Sequence, residues 1–225
     1  MVVKGFLKTS FLDWDGKIVS VLFAAGCNFR CSFCFNKELA VNSSELVAIP
    51  EKEIFEFLEK RKDFLDGVVI TGGEPTLQKD LPRFIAKIKL PVKLDTNGSN
   101  PGMLEDLIKN KLIDYIAMDI KVPLEKYKKI SKFPTLNSEL IKKSINLIIS
   151  SGIDHEFRST LVPGIHTEED IKKMAKLIKG GQKYYLQNFK PGKVLDLKLK
   201  NIKPFTSLEK FAKIAGKYIK TQIRS

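Results

Sequence analysis

The strongest constraint on this chain's fold is the alternation of short β-rich runs with longer amphipathic stretches. Residues 18–24, 68–71, 92–95, 115–120, 156–162 and 184–189 are enriched in Val, Ile, Leu, Phe and Tyr and predict six strands. Between them, Ile54, Phe55, Leu58 and Leu65 recur at helical spacing, as do Leu140, Ile141, Ser144, Ile145 and Ile148. Thr167 and Asp170 predict a capping box, Ser207 an N-cap, and Gly152 and Gly180 helix stops. Strand–helix alternation is the pattern of a parallel sheet with right-handed crossovers and outer helices. A closed eight-unit barrel takes about 250 residues. Six units in 225 residues therefore predict an α/β fold, a partial (β/α)6 TIM-like barrel, with a flat doubly wound sheet as the alternative. We expect one domain, with residues 1–17 a hairpin-like extension turning at Asp15-Gly16, 18–189 the core, and 190–225 a C-terminal helical segment.

In such folds the chemistry collects on the loops that leave the carboxyl ends of the strands. The first strand runs into Ala25-Gly26-Cys27-Asn28-Phe29-Arg30-Cys31-Ser32-Phe33-Cys34, which holds all 3 cysteines. The N-terminal stretch has no apolar signal-peptide core, so the chain is expected in the cytoplasm, where a disulfide framework is disfavoured. Clustered thiolates suit zinc or an iron–sulfur cluster. A structural zinc wants four ligands, and the only histidines, His155 and His166, lie far along the chain. A four-iron cluster on three thiolates instead leaves one iron open to a ligand.

Other strand ends bring polar groups to the same edge. In Thr71-Gly72-Gly73-Glu74-Pro75 two glycines admit a ligand close to the backbone, and the carboxylate can accept from an ammonium. The plainer reading is a glycine turn with Glu74 at a helix start. Leu94-Asp95-Thr96-Asn97-Gly98 and Ala117-Met118-Asp119-Ile120-Lys121 each deliver an acid, which taken singly is a turn former or cap. Arg158 follows on the fifth strand, where an ordinary ion pair is the competing role.

The C-x3-C-x-aromatic-C arrangement, with Phe33 as the aromatic, resembles the signature of the radical S-adenosylmethionine superfamily. The resemblance implies a [4Fe–4S] cluster on Cys27, Cys31 and Cys34, S-adenosylmethionine on the open iron, and adenine against the backbone beside Phe33. Gly72, Gly73 and Glu74 resemble the superfamily's GGEP motif, which implies contact with the methionine amine. The DTNG and MDIK segments together resemble the glycyl-radical-enzyme activating branch, which includes the activators of pyruvate formate-lyase and of anaerobic ribonucleotide reductase. That branch implies a monovalent cation held by Asp95, Asp119 and the carbonyls of Thr96 and Ala117, with Lys121 and Arg158 at the cofactor. It further implies anaerobic cleavage to a 5′-deoxyadenosyl radical, which takes the Cα hydrogen of a glycine on a partner enzyme. Two positions depart from the branch: Phe35 and Asn188 stand near places where related activators carry histidine.

The net charge of +13 would steer an acidic electron donor of the flavodoxin or ferredoxin type, although dispersed lysines also make an ordinary solvated surface. No run approaches the roughly eighteen apolar residues of a membrane span, so no membrane partner is expected. Nucleic acid is disfavoured, because no stacking platform or zinc-knuckle pattern is evident. The competing readings are a 7-carboxy-7-deazaguanine synthase-like enzyme acting on a small molecule, and a non-catalytic metal or nucleic-acid-binding module.

Overall fold

The six expected strands all form, within two residues of their expected bounds. A computed structural model describes residues 1–132 and 136–224. Its strands are β1 (Val3–Ser10), β2 (Val19–Ala24), β3 (Gly67–Gly72), β4 (Val92–Thr96), β5 (Tyr115–Asp119), β6 (Asp154–Leu161), β7 (Tyr184–Asn188) and β8 (Thr221–Arg224). The helices are α1 (Lys37–Val41), α2 (Glu51–Arg61), α3 (Leu81–Ile85), α4 (Pro101–Lys109), α5 (Tyr127–Ser131), α6 (Ser138–Ser150), α7 (Glu168–Leu177) and α8 (Glu209–Ala215). Paired strands follow chain order, β1 to β4 in one run and β6 to β8 in another. Among the described residues no helix is long and apolar enough to cross a membrane.

The chain divides into two compact units. The first comprises Met1–Asn28, Glu38–Thr96 and Gly102–Ile116. Here β2 and β3 run parallel in register, from Val19 opposite Gly67 to Ala24 opposite Gly72, and β3 continues onto β4. Both strands are buried along nearly their whole length, as parallel strands covered on two faces must be. β1 pairs antiparallel with β2 through two register shifts, after a turn in which Gly16 takes a φ of 73°. Trp14 packs with Val19, Val21 and Val69. A side chain at Gly67 would come within 2.8 Å of that indole, so the strand has to begin on glycine.

The second unit comprises Phe29–Lys37, Asn97–Pro101 and Ala117–Ser225. β6, β7 and β8 are parallel. On α6, Ile141, Ser144, Ile145 and Ile148 form the buried stripe that their spacing predicts. α7 opens on the expected capping box: Thr167 Oγ1 accepts from the Asp170 backbone, and the Asp170 carboxylate accepts from the Thr167 backbone. Gly152 and Gly180, with φ of 74° and 99°, follow the ends of α6 and α7.

Two expectations are corrected. α8 starts at Glu209 with Leu208 as its cap, although Ser207 Oγ does accept from the Glu209 backbone. The segment expected to be helical to the end finishes instead as β8, whose four residues hydrogen-bond along β7 from Tyr184–Thr221 to Gln187–Arg224. A strand this short has too few side chains to show an alternating pattern.

Candidate functional site

The carboxyl ends of β2 and β3 are locked together in the first unit. Gly73 N donates to Ala24 O at 3.0 Å, Glu74 N to Gly26 O at 2.8 Å, and Gln78 Nε2 to Ala25 O at 2.8 Å. Such contacts need backbones that nearly touch. A Cβ on Gly73 would lie 1.9 Å from Gly26 O, and one on Gly72, where φ is 117°, would lie 2.4 Å from Ala24 N. The two glycines therefore hold the start of the cysteine loop, and Cys27, against the end of β3. Glu74 is fully buried, and its Oε1 accepts from Thr76 N at 3.1 Å, Thr76 Oγ1 at 2.5 Å and Thr96 Oγ1 at 2.8 Å. It thus performs the plainer role anticipated for it, capping the short turn Pro75–Leu77, while the Thr96 bond ties it to the end of β4. Three residues before Thr96 on β4, Lys93 is buried, donates to Asp13 O at 2.6 Å and stands 3.8 Å from Asp95. Lys93 gave no signal in the sequence, where a lysine within a strand reads as a surface residue.

In the second unit, Asp119 at the end of β5 is held between two cations, with Lys121 Nζ at 2.8 Å from Oδ2 and Arg158 Nε at 3.0 Å from Oδ1. Burial pushes the Asp119 carboxyl upward, but the charges and hydrogen bonds of Arg158 and Lys121 prevail and hold it at about 2. Burial likewise opposes the charge on Lys121, yet Asp119 and the Cys31 thiol raise its pKa above the usual lysine range. The Cys31 thiol is pushed up to about 11 by burial, against the pull of Lys121 and with Cys34 and Asp119 adding to the rise. Cys31 is buried and Cys34 half-buried, and none of the three cysteines forms a disulfide.

His166 was considered in the sequence only as an unsuitable zinc ligand, but the fold gives it a different place. Its Nδ1 accepts from Val162 N at 3.0 Å, so the neutral ring carries its proton on Nε2 and donates to Lys121 O at 2.8 Å. Its ring also meets Phe33 edge-on at 6.1 Å between centroids. One buried imidazole thereby braces both the aromatic of the cysteine loop and the lysine after β5. The only sequence trace is a histidine after Pro163-Gly164. Asn188 closes a loop, donating to Phe205 O at 2.6 Å and accepting from Phe205 N at 3.2 Å.

Among the described residues no three His, Cys, Asp or Glu side chains are gathered as a ready-made metal site. The fit to an iron–sulfur cluster lies in the donor set: three soft thiols on one loop, with no competing set of hard oxygens among their sequence neighbours.

Within each unit the carboxyl ends of strands carry polar groups, a glycine-locked edge in the first and an acid between two cations in the second, as in α/β proteins that work at their strand ends. Residues 21–178 match the Radical SAM superfamily, and the chain belongs to that superfamily, in the branch of glycyl-radical enzyme activating enzymes. It is 38% identical over 97% of its length to a Methanocaldococcus jannaschii protein provisionally named a glycyl-radical enzyme activating enzyme, covering 93% of that relative. It is 30% identical to the pyruvate formate-lyase-activating enzyme of Clostridium pasteurianum, over 72% of this chain and 70% of that one. Among solved structures, SuiB of Streptococcus suis bound to S-adenosylmethionine superposes with a TM-score of 0.64 at 17% identity, over 91% of this chain and 52% of SuiB. That likeness speaks for the fold, and the expected class, α/β with a partial (β/α)6 barrel, is borne out.

Proposed function

We propose that this radical S-adenosylmethionine enzyme activates a glycyl radical enzyme, with Cys27, Cys31 and Cys34 as the ligands of its [4Fe–4S] cluster. Held by those three thiols, a bound cluster would supply the single electron for reductive cleavage of S-adenosylmethionine, and with it the means to remove a glycine Cα hydrogen from the partner. The observation that carries this reading is the 38% identity over 97% of the chain to a relative so named. The residues support it. Lys121, kept cationic beside the Cys31 thiol, favours the thiolate that iron requires. The carboxylate of Glu74 and the backbone of Gly72 and Gly73 would receive the methionine amine, Arg158 and Lys121 its carboxylate, and the backbone beside Phe33 the adenine.

Anaerobic reconstitution tests the reading. About four irons per chain, reductive cleavage of S-adenosylmethionine and a glycyl radical signal on a co-encoded partner are expected. Turnover of 6-carboxytetrahydropterin would instead place the chain with the 7-carboxy-7-deazaguanine synthases, and one zinc per chain without cleavage would sink the enzyme reading altogether. The monovalent cation that the branch implies is part of this reading: replacing potassium with a bulky organic cation should slow cleavage by about tenfold or more, and a change of less than about threefold would remove the cation from it.

A further inference from the structure

We infer that residues 190–203 are the docking surface for a small acidic one-electron carrier protein, an inference that rests on the proposed function and names the partner of that same cysteine loop. The chemistry takes an electron from outside, because the chain's 3 cysteines all lie in one motif and offer no second cluster to relay it. The donor has to come near that loop.

The backbone of Asp196 donates to Ser32 O at 2.8 Å, a bond made to the cysteine loop itself, between Cys31 and Cys34. The segment is closed at its neck by the paired Asn188–Phe205 bonds and anchored by buried Val194, the arrangement of a compact surface loop. What it presents outward is one-sided in charge. Lys190, Lys193, Lys198, Lys200 and Lys203 are all exposed. The one acid among them, Asp196, is spent on capping the turn Leu197–Leu199, where it accepts from Lys198 N at 3.0 Å. Leu197, beside it, is 72% exposed, an apolar centre within a cationic rim. Bound directly to the cysteine loop, this surface is placed to receive a partner of opposite charge that delivers electrons, and rim charges of this kind set association rate and salt dependence.

The test uses the reconstituted enzyme and, as probe, a reduced acidic flavodoxin. K198E/K200E is compared with K142E/K143E, two exposed lysines of α6, so that each pair lowers the net charge of +13 by the same four units. The loop pair should weaken flavodoxin affinity and slow cluster reduction by about tenfold or more, with a shallower salt dependence. K198Q/K200Q should fall between it and the wild type, and the α6 pair should stay close to wild type. Equal effects from both charge-reversal pairs would mean that only net charge matters, and would overturn the inference. So would unchanged flavodoxin reduction together with lost activation of the glycyl radical partner, which would give the surface to that partner. Cleavage driven by dithionite reads the functional assignment separately: its absence in the wild type fails that reading, and its presence beside unaltered flavodoxin kinetics fails only the surface.

Discussion

Asp119 shows how much of the site a few residues carry. It terminates β5, and both its oxygens are engaged by cations from neighbouring positions, one from Lys121 and one from Arg158. Asp119→Asn keeps the shape but leaves two charges with a neutral neighbour, so the apo protein should lose about 1–3 kcal/mol in urea unfolding. Cleavage of S-adenosylmethionine should fall by at least tenfold; a variant with wild-type stability and rate would show that the pairing is incidental. Asp119 and Lys121 were legible because a strand end announces itself locally, whereas Arg158, within β6 and 39 residues from Asp119, was reached only through the family resemblance. His166 and Lys93 were not legible, since their partners lie 45 and 80 residues away. Burial disfavours the charged ring and holds the His166 pKa below the ordinary histidine value, and protonation would also set an N–H against the Val162 N–H. The unfolded chain takes up that proton as pH falls through about 6.5, whereas the folded chain resists. The stability from this residue is thus complete above about pH 6.5 and declines below it. His166→Gln should flatten the acid side of a stability–pH curve measured from pH 5 to 8, and an unchanged slope would refute the assignment.

At the scale of elements, the pairing of β2 with β3 is what brings Cys27 and the glycine motif to one edge. Six strands were legible because buried parallel strands concentrate Val, Ile and Leu in short runs. β8 was not, because four half-exposed residues carry no period, whereas the hairpin turn at Asp15-Gly16 announced the antiparallel pairing of β1 with β2. The close approach at Gly73 was anticipated as room for a ligand; the fold gives that room first to the Gly26 carbonyl. Gly73→Ala would therefore push the end of β3 off the cysteine loop, and overpacking of this sort typically costs about 1–3 kcal/mol. Denaturant unfolding of the apo protein should show that loss, and iron uptake on reconstitution should drop with it. Gly164→Ala provides the comparison: its Cβ would meet nothing within 4 Å, so only the strain of its φ of 81° should register, with iron uptake intact.

For the whole molecule, the surplus of 39 basic over 26 acidic side chains has consequences of opposite sign for stability and for association. Even if every acid were paired, thirteen cations would remain, and their mutual repulsion acts over longer range than exposed pairs such as Lys173–Glu125 and Lys210–Glu168, which water already screens. Added salt shortens the Debye length from about 30 Å at 0.01 M to about 8 Å at 0.15 M, which quiets the repulsion more than it weakens contacts at 2.6 Å. Raising a non-binding salt across that range should lift the melting temperature by roughly 2–4 °C, the equivalent of about 1 kcal/mol for a chain of this size. The same screening should slow capture of an acidic carrier by the lysine loop. A scanning fluorimetry series run beside stopped-flow reduction would then show stability rising as association falls; a melting temperature that drops with salt would mean that the ion pairs, and not the unmatched lysines, dominate the surface.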